Sequence, residues 1–432
     1  MNKYKSFLFK DYKLDYDSRI LSLHYSYDNQ ISFTETYHFD FDWEENLDLS
    51  DLDRACQTLF FMAGVSYYKT YLAPEICIEK GKMTPSEAEF FSKTYQKGLG
   101  EFFYVNQLDP KTTIKFPLTH SDEVVSSQRS SSGLLIGIGG GKDSLVSVDL
   151  LHDQPKVATW TVGHRTQLEP LVKRIGLPHF WVYREWDKSL LDHNISGGYN
   201  GHVPFSAILA SVGTIVAVLS GYRDVVVSNE QSANESTLEY NGVSINHQYS
   251  KSSEFESDYQ SYLHNRFGDN IRYYSLLRPL SELRIAELFA SKVLDKYRDV
   301  FSSCNRAFVH TSDRLFWCGE CPKCAFTYLI LSPFVNDDKL TSLFGGKNLL
   351  TDPTLELTYR QLLGIEGDKP LDCVGEIKES RTAMRLAQAK YPELISKYRF
   401  DLPTNYDFRT LYGHHIPTEI YSIIANGITK NG

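Results

Sequence analysis

Apolar and polar positions alternate along the first 50 residues, as in 18–28 (SRILSLHYSYD) and 32–41 (SFTETYHFDF), with Asp28-Asn29 as a turn between them. A period of two puts every second side chain on one face, so this stretch predicts β-hairpins. From Leu52 to about Val105 the spacing becomes helical, and Thr84-Pro85-Ser86-Glu87 offers a capping hydroxyl, a proline for the first turn and an acid three positions on. Residues 1–120 therefore read as an N-terminal α+β domain. The polar, Ser-rich stretch 121–133 (SDEVVSSQRSSSG) reads as a linker.

Beyond it, short β-branched runs alternate with helical patterns. Strands are predicted at 134–138, 157–162, 180–183, 225–228 and 273–277, and helices at 143–151, 167–175, 204–220 and 281–297. This rhythm predicts an α/β fold, a doubly wound parallel sheet over residues 134–334, with ligands bound beyond the carboxyl ends of the strands. Residues 335–432 are expected to form a mainly helical C-terminal region. The longest apolar stretch, 203–220, carries three Ser and a Thr and is bracketed by Pro204 and Gly221. It reads as a helix buried on most sides, not as a membrane span.

Composition narrows the function classes. Forty-five basic against 54 acidic residues give a net charge of -9, which repels polyanions and disfavours nucleic-acid or membrane-surface partners while leaving room for a local basic pocket. The basic N-terminus lacks the apolar core of a secretory signal, so a cytoplasmic location is expected. Seven cysteines, three of them within seven residues, fit a reduced protein with a metal site better than a disulfide framework.

Two motifs carry chemistry. The first is Gly139-Gly140-Gly141-Lys142-Asp143-Ser144, set between a predicted strand and helix. Glycines let the backbone approach a phosphate, the helix start offers N–H groups to an anion, Lys142 adds a cation and Ser144 a hydroxyl. A Walker loop would need glycine at Ile136 and Ser or Thr at Asp143, and the dinucleotide fingerprint lacks its third glycine. The second motif is Cys318-Gly-Glu-Cys321-Pro-Lys-Cys324 with Cys304 upstream, four sulfurs for a closed structural zinc site. Redox or sulfur-carrier chemistry and unligated thiols are its alternatives.

The glycine loop resembles the PP-loop of the ATP pyrophosphatase superfamily, Ser-Gly-Gly-x-Asp-Ser, with Gly139 in place of the leading Ser. Leu276-Leu277-Arg278-Pro279-Leu280 is similar to an Arg-Pro-Leu element of that superfamily, and the cysteine cluster to one in 7-cyano-7-deazaguanine synthases. The resemblance implies ATP bound by residues 139–144 and Arg278, with Mg²⁺ held by Glu230 after the fourth strand of the parallel sheet.

Within the superfamily, GIGGGKDS, the tract 228–262, WCGECPKCAF and GDKPLDCVGE resemble the bacterial UDP-N-acetylmuramoyl-L-alanyl-L-glutamate epimerases over roughly 130–380. That implies ATP-dependent inversion of the terminal L-Glu of a UDP-linked muramyl dipeptide. The alternative is a PP-loop enzyme acting on a nucleobase or tRNA. For epimerisation, an acid/base group must stand near an activated glutamate, and Cys373, His247, Tyr249 and Lys251 are candidates, with Lys142 at the phosphates. Cys373 and His247 could instead be core residues, and Lys251 and Arg278 suit charge neutralisation better than proton transfer.

Overall fold

The computed structural model describes residues 3–121, 131–308, 312–402 and 404–429, so most of the expected linker, 122–130, lies outside the described residues. Among the described residues there are eleven strands: β1 (Ser6–Asp15), β2 (Ile20–Tyr27), β3 (Ile31–Asp40), β4 (Glu75–Ile78), β5 (Leu134–Gly137), β6 (Val157–Val162), β7 (His179–Glu185), β8 (Asp224–Val227), β9 (Leu238–Tyr240), β10 (Val243–Ile245) and β11 (Arg272–Ser275). Nine of them form one sheet in the order β11-β8-β5-β6-β7-β3-β2-β1-β4, and β9 and β10 form a separate hairpin.

Strands β11, β8, β5, β6 and β7 run parallel, as the strand and helix alternation predicts. Consecutive side chains of these strands enter different cores. Leu135, Val225 and Tyr273 join one apolar cluster, while Leu134, Ile136, Val226 and Tyr274 join the other. A sheet buried on both faces reads as a continuous apolar run, which is why these strands lack polar alternation. Helices Leu49–Ala63, Phe205–Ser220 and Ser253–Phe267 cover the first face. Lys142–Leu151, Arg165–Ile175, Pro322–Leu331 and helices of the C-terminal region cover the second.

Local signals in the chain act as read. Asp28 and Asn29 both take positive φ at the hairpin turn, Thr84 and Glu87 form a reciprocal capping box, and Gly221 ends the apolar helix with φ 71°. No helix among the described residues is long and apolar enough to cross a membrane. Close packing of that helix against the sheet sets one test. A Cβ at Gly213 would lie 2.7 Å from Trp160 and 2.8 Å from Val225. Gly213→Ala gains about 1 kcal/mol of helix propensity but costs about 1–3 kcal/mol of overpacking. A lower urea midpoint with unchanged slope is the expected outcome.

The N-terminal region, read as a domain of its own, shares the sheet. β3 pairs antiparallel with β7, from Thr36 opposite Glu185 to Asp40 opposite Trp181. At this seam Glu35 is fully buried, accepts from Tyr37 at 2.5 Å and pairs with Arg184 at 2.7 Å. A buried carboxylate of this kind requires its cation, since an unpaired charge there is strongly destabilising. The alternating pattern of 1–50 identified the strands but carried no information on which neighbour β3 would choose.

Candidate active site

The carboxyl ends of β5, β8 and β11 lead into one polar cluster. β5 runs into the three glycines, and Gly140 has φ 81°, a conformation that costs any residue with a Cβ. A Cβ at Gly139 would meet nothing within 4 Å, so the departure from serine is not forced by crowding. Gly141 opens the helix Lys142–Leu151 without a side-chain cap, which leaves N–H groups of the first turn available to an anion. Ser144 Oγ donates to the Gly141 carbonyl at 3.2 Å, which holds the loop against its helix.

Lys142, expected to extend toward a phosphate, turns inward. Its ammonium is fully buried and paired with Asp143 and Glu282. From Glu282 the charges continue: Lys323 lies 3.7 Å from it and donates to the Cys373 carbonyl. Lys251 donates to Cys373 Sγ at 3.2 Å. Burial pushes Glu230 up to about 7, helped by Glu282 and opposed by Lys251, while in Glu282 Lys142 and Lys323 outweigh burial and hold the carboxyl down.

Arg278 is also fully buried. Its guanidinium donates to Glu256 and to the carbonyls of Glu230, at 2.6 Å, and Lys251, at 2.5 Å. These bonds fix the segments carrying Glu230 and Lys251 side by side. Tyr249 is buried in the first core with its ring against Phe255.

Cys373 sits half-buried in the loop before helix Ile377–Ala387, with Sγ 3.9 Å from His247 Nε2. His247 Nδ1 is hydrogen-bonded to Glu101, from the N-terminal region, and His202 Nδ1 lies 3.4 Å from the same carboxylate oxygen. Burial pushes the Cys373 thiol up, but Lys251, His247 and Lys323 outweigh it and bring it down to about 6. Burial pulls His247 down, yet its bonds to Cys373 and Glu101 raise it to about 9. Both shifts favour a thiolate beside an imidazolium near neutral pH, a pair whose sulfur can accept a proton.

The four cluster cysteines meet. Cys304 Sγ lies 3.8 Å from Cys321 Sγ and Cys318 Sγ lies 3.7 Å from Cys324 Sγ, and all four sulfurs are within 4.8 Å of one another. A tetrahedron with zinc–sulfur bonds of about 2.3 Å has edges of about 3.8 Å, so the donor set fits zinc. The cysteine cluster touches both the glycine loop and the loop that carries Cys373. Ser302, two residues before Cys304, donates its N–H to Gly140 at 2.9 Å, and Ser303 Oγ accepts from the Lys142 N–H at 3.3 Å. On the other side Asn305 donates to Asp372.

Four residues of the cluster were not singled out from the sequence. Glu282 follows the Arg-Pro-Leu element and Lys323 lies between two zinc-spaced cysteines, so each had a motif beside it. Glu101 and His202 had none, because Glu101 meets His247, 146 residues further along the chain, and His202 lies far from either in sequence. Beside the cluster, a cavity of about 490 Å³ is lined by Asn234, Glu235, Glu376, Ile377, Lys378 and Arg381.

The fold is of the α/β class, with a glycine loop at one strand end and a thiol–imidazole pair in the neighbouring cluster. The chain belongs to the MurL family: the MurL N-terminal domain matches residues 1–276 and the MurL C-terminal domain residues 300–396. Relatives named UDP-N-acetyl-alpha-D-muramoyl-L-alanyl-L-glutamate epimerase include one from Salinispora tropica, 40% identical over 78% of this chain and 74% of its own length. Those from Xanthomonas oryzae pv. oryzae and Micromonospora sp. are 37% and 36% identical, over 82% and 89% of this chain and 80% and 87% of theirs.

Proposed function

We propose that this chain is an ATP-dependent epimerase that converts the terminal L-Glu of UDP-MurNAc-L-Ala-L-Glu to D-Glu through an acyl-adenylate, releasing AMP and pyrophosphate. The observation that supports it is the contact of the Cys373 sulfur with the His247 imidazole, linked through Lys323, Glu282 and Lys142 to the glycine loop. Family membership supports the substrate, and the resemblance of residues 139–144 to a PP-loop supports the use of ATP.

The two parts serve one chemical need. Removing the α-proton beside an ionised carboxylate would place a second negative charge next to the first. When the carboxylate oxygen attacks the α-phosphorus and the bond to the β-phosphate breaks, that charge is cancelled. The proton can then pass to the Cys373 thiolate while its electron pair moves onto the acyl oxygen, where nearby cations stabilise it. A proton from solvent then adds to the opposite face of the α-carbon as the electron pair returns from the acyl oxygen, the Cys373 thiol gives its proton up to water, and water cleaves the anhydride to return AMP and the inverted carboxylate. Loop residues 139–144 would hold the phosphates, Glu230 and Asp143 are the acids available to Mg²⁺, and Cys304, Cys318, Cys321 and Cys324 would hold a structural zinc. A cytoplasmic site of action follows from the proposed substrate, a soluble nucleotide-linked precursor.

The test is isotopic. With ATP and Mg²⁺ in D₂O, the dipeptide substrate should gain deuterium at the glutamate α-carbon and release AMP with pyrophosphate in step with D-Glu. Deuterium entering equally fast without ATP, or ADP and orthophosphate as primary products, would overturn the reading.

A further inference from the structure

Glu101 lies in the short helix Gly100–Val105 of the N-terminal region, yet its ion-pair partners are His202 and His247, far along the chain. Its side chain is 15% exposed and that of His247 10% exposed, so neither bond is diluted by open solvent. The two histidines are not equivalent. Burial holds His202 low, at about 4, despite Glu101, so the ring that answers the carboxylate with a charge is His247. With Nδ1 tied to Glu101, the remaining nitrogen of His247 faces Cys373 Sγ. Carboxylate, imidazole and thiol thus stand in sequence, and a carboxylate on one ring nitrogen fixes the orientation of the ring and favours its doubly protonated form.

We infer that Glu101 is a positioning residue for proton transfer, holding His247 with its Nε2–H aimed at Cys373, so that the N-terminal region completes the active site. This rests on Cys373 being the proton acceptor of the reaction proposed above. The other groups facing the pair are Lys251 and Lys323 toward the thiol, with Glu230 behind Lys251, and His202 and Asp372 toward the ring. Lys251 alone would leave the thiol partly activated, so loss of Glu101 should weaken the pair without abolishing it.

The first measurement needs neither ATP nor substrate. Alkylation of Cys373 by iodoacetamide, followed by peptide mass spectrometry against pH, reads the thiolate directly in the full chain. The wild-type midpoint should lie near pH 6, and in Glu101→Gln it should rise by about one pH unit. Glu101→Asp, which keeps the charge on a shorter arm, should fall between them. Deuterium exchange in Glu101→Gln should fall through kcat with KM little changed. An unchanged midpoint in a folded Glu101→Gln protein would overturn the inference.

Should that variant not fold, ¹⁵N NMR of the wild-type histidines decides, because a His247 ring carrying one proton at pH 7 is incompatible with it. So is a second metal per chain, lost with Glu101, which would mean that Glu101, His202 and His247 bind a cation instead. A shifted midpoint in a protein that shows no ATP-dependent exchange would leave the relay standing and reject the proposed reaction.

Discussion

Replacing Cys373 with alanine should slow incorporation of solvent deuterium at the glutamate α-carbon by about 10²–10⁴-fold, the usual contribution of a positioned acid or base. Substrate-dependent exchange of pyrophosphate into ATP should persist, since adenylation does not use the thiol. The wild-type pH profile follows from the same pair. Exchange should rise as pH passes about 6, where the thiol ionises, and fall as pH passes about 9, where His247 loses its proton. Both limbs depend on opposite charges that stabilise each other, so Cys373→Ser should lose the acidic limb because a serine hydroxyl does not ionise there. Normal exchange in the alanine variant would clear Cys373 and pass the role to His247.

Cys321→Ala should cost the protein its metal and its solubility together. One zinc per chain is expected on Cys304, Cys318, Cys321 and Cys324 by elemental analysis. Structural zinc contributes about 10 kcal/mol or more of apparent binding free energy, comparable with the whole stability of a typical domain. The loss would not stay local, because residues 302–305 hold the glycine loop and the Asp372–Cys373 loop from either side. Zinc-free protein as isolated, or a stable and active Cys321→Ala, would contradict this.

The chain declared its parallel sheet openly, because strands buried on both faces and helices buried on one write distinct periods. The glycine loop and the cysteine cluster were legible for a related reason: a turn, a helix start and a tetrahedral ligand set impose short, fixed spacings. The direction of Lys142 was not, since nothing near residue 142 says that Glu282 will lie within reach. Glu101 and His202 were hidden more completely. Their meaning depends on a helix of the N-terminal region meeting the segment after β8 that carries His247, a contact that belongs to the assembled fold and leaves no local trace.

The seam between β3 and β7 sets a clock during synthesis. Glu35 and Arg184 are 149 residues apart, so at about 5–20 residues per second a ribosome needs about 7–30 s to supply the partner strand. Through that interval β3 presents an unpaired edge, the kind of surface on which nascent chains associate. The carboxylate at its centre makes the wait tolerable: any strand that docks without a cation must bury Glu35 unpaired, and only β7 arrives with Arg184. The same charge that stabilises the finished seam would thus penalise a partner strand without a cation, and a fragment ending before residue 179 would keep Glu35 but lack Arg184.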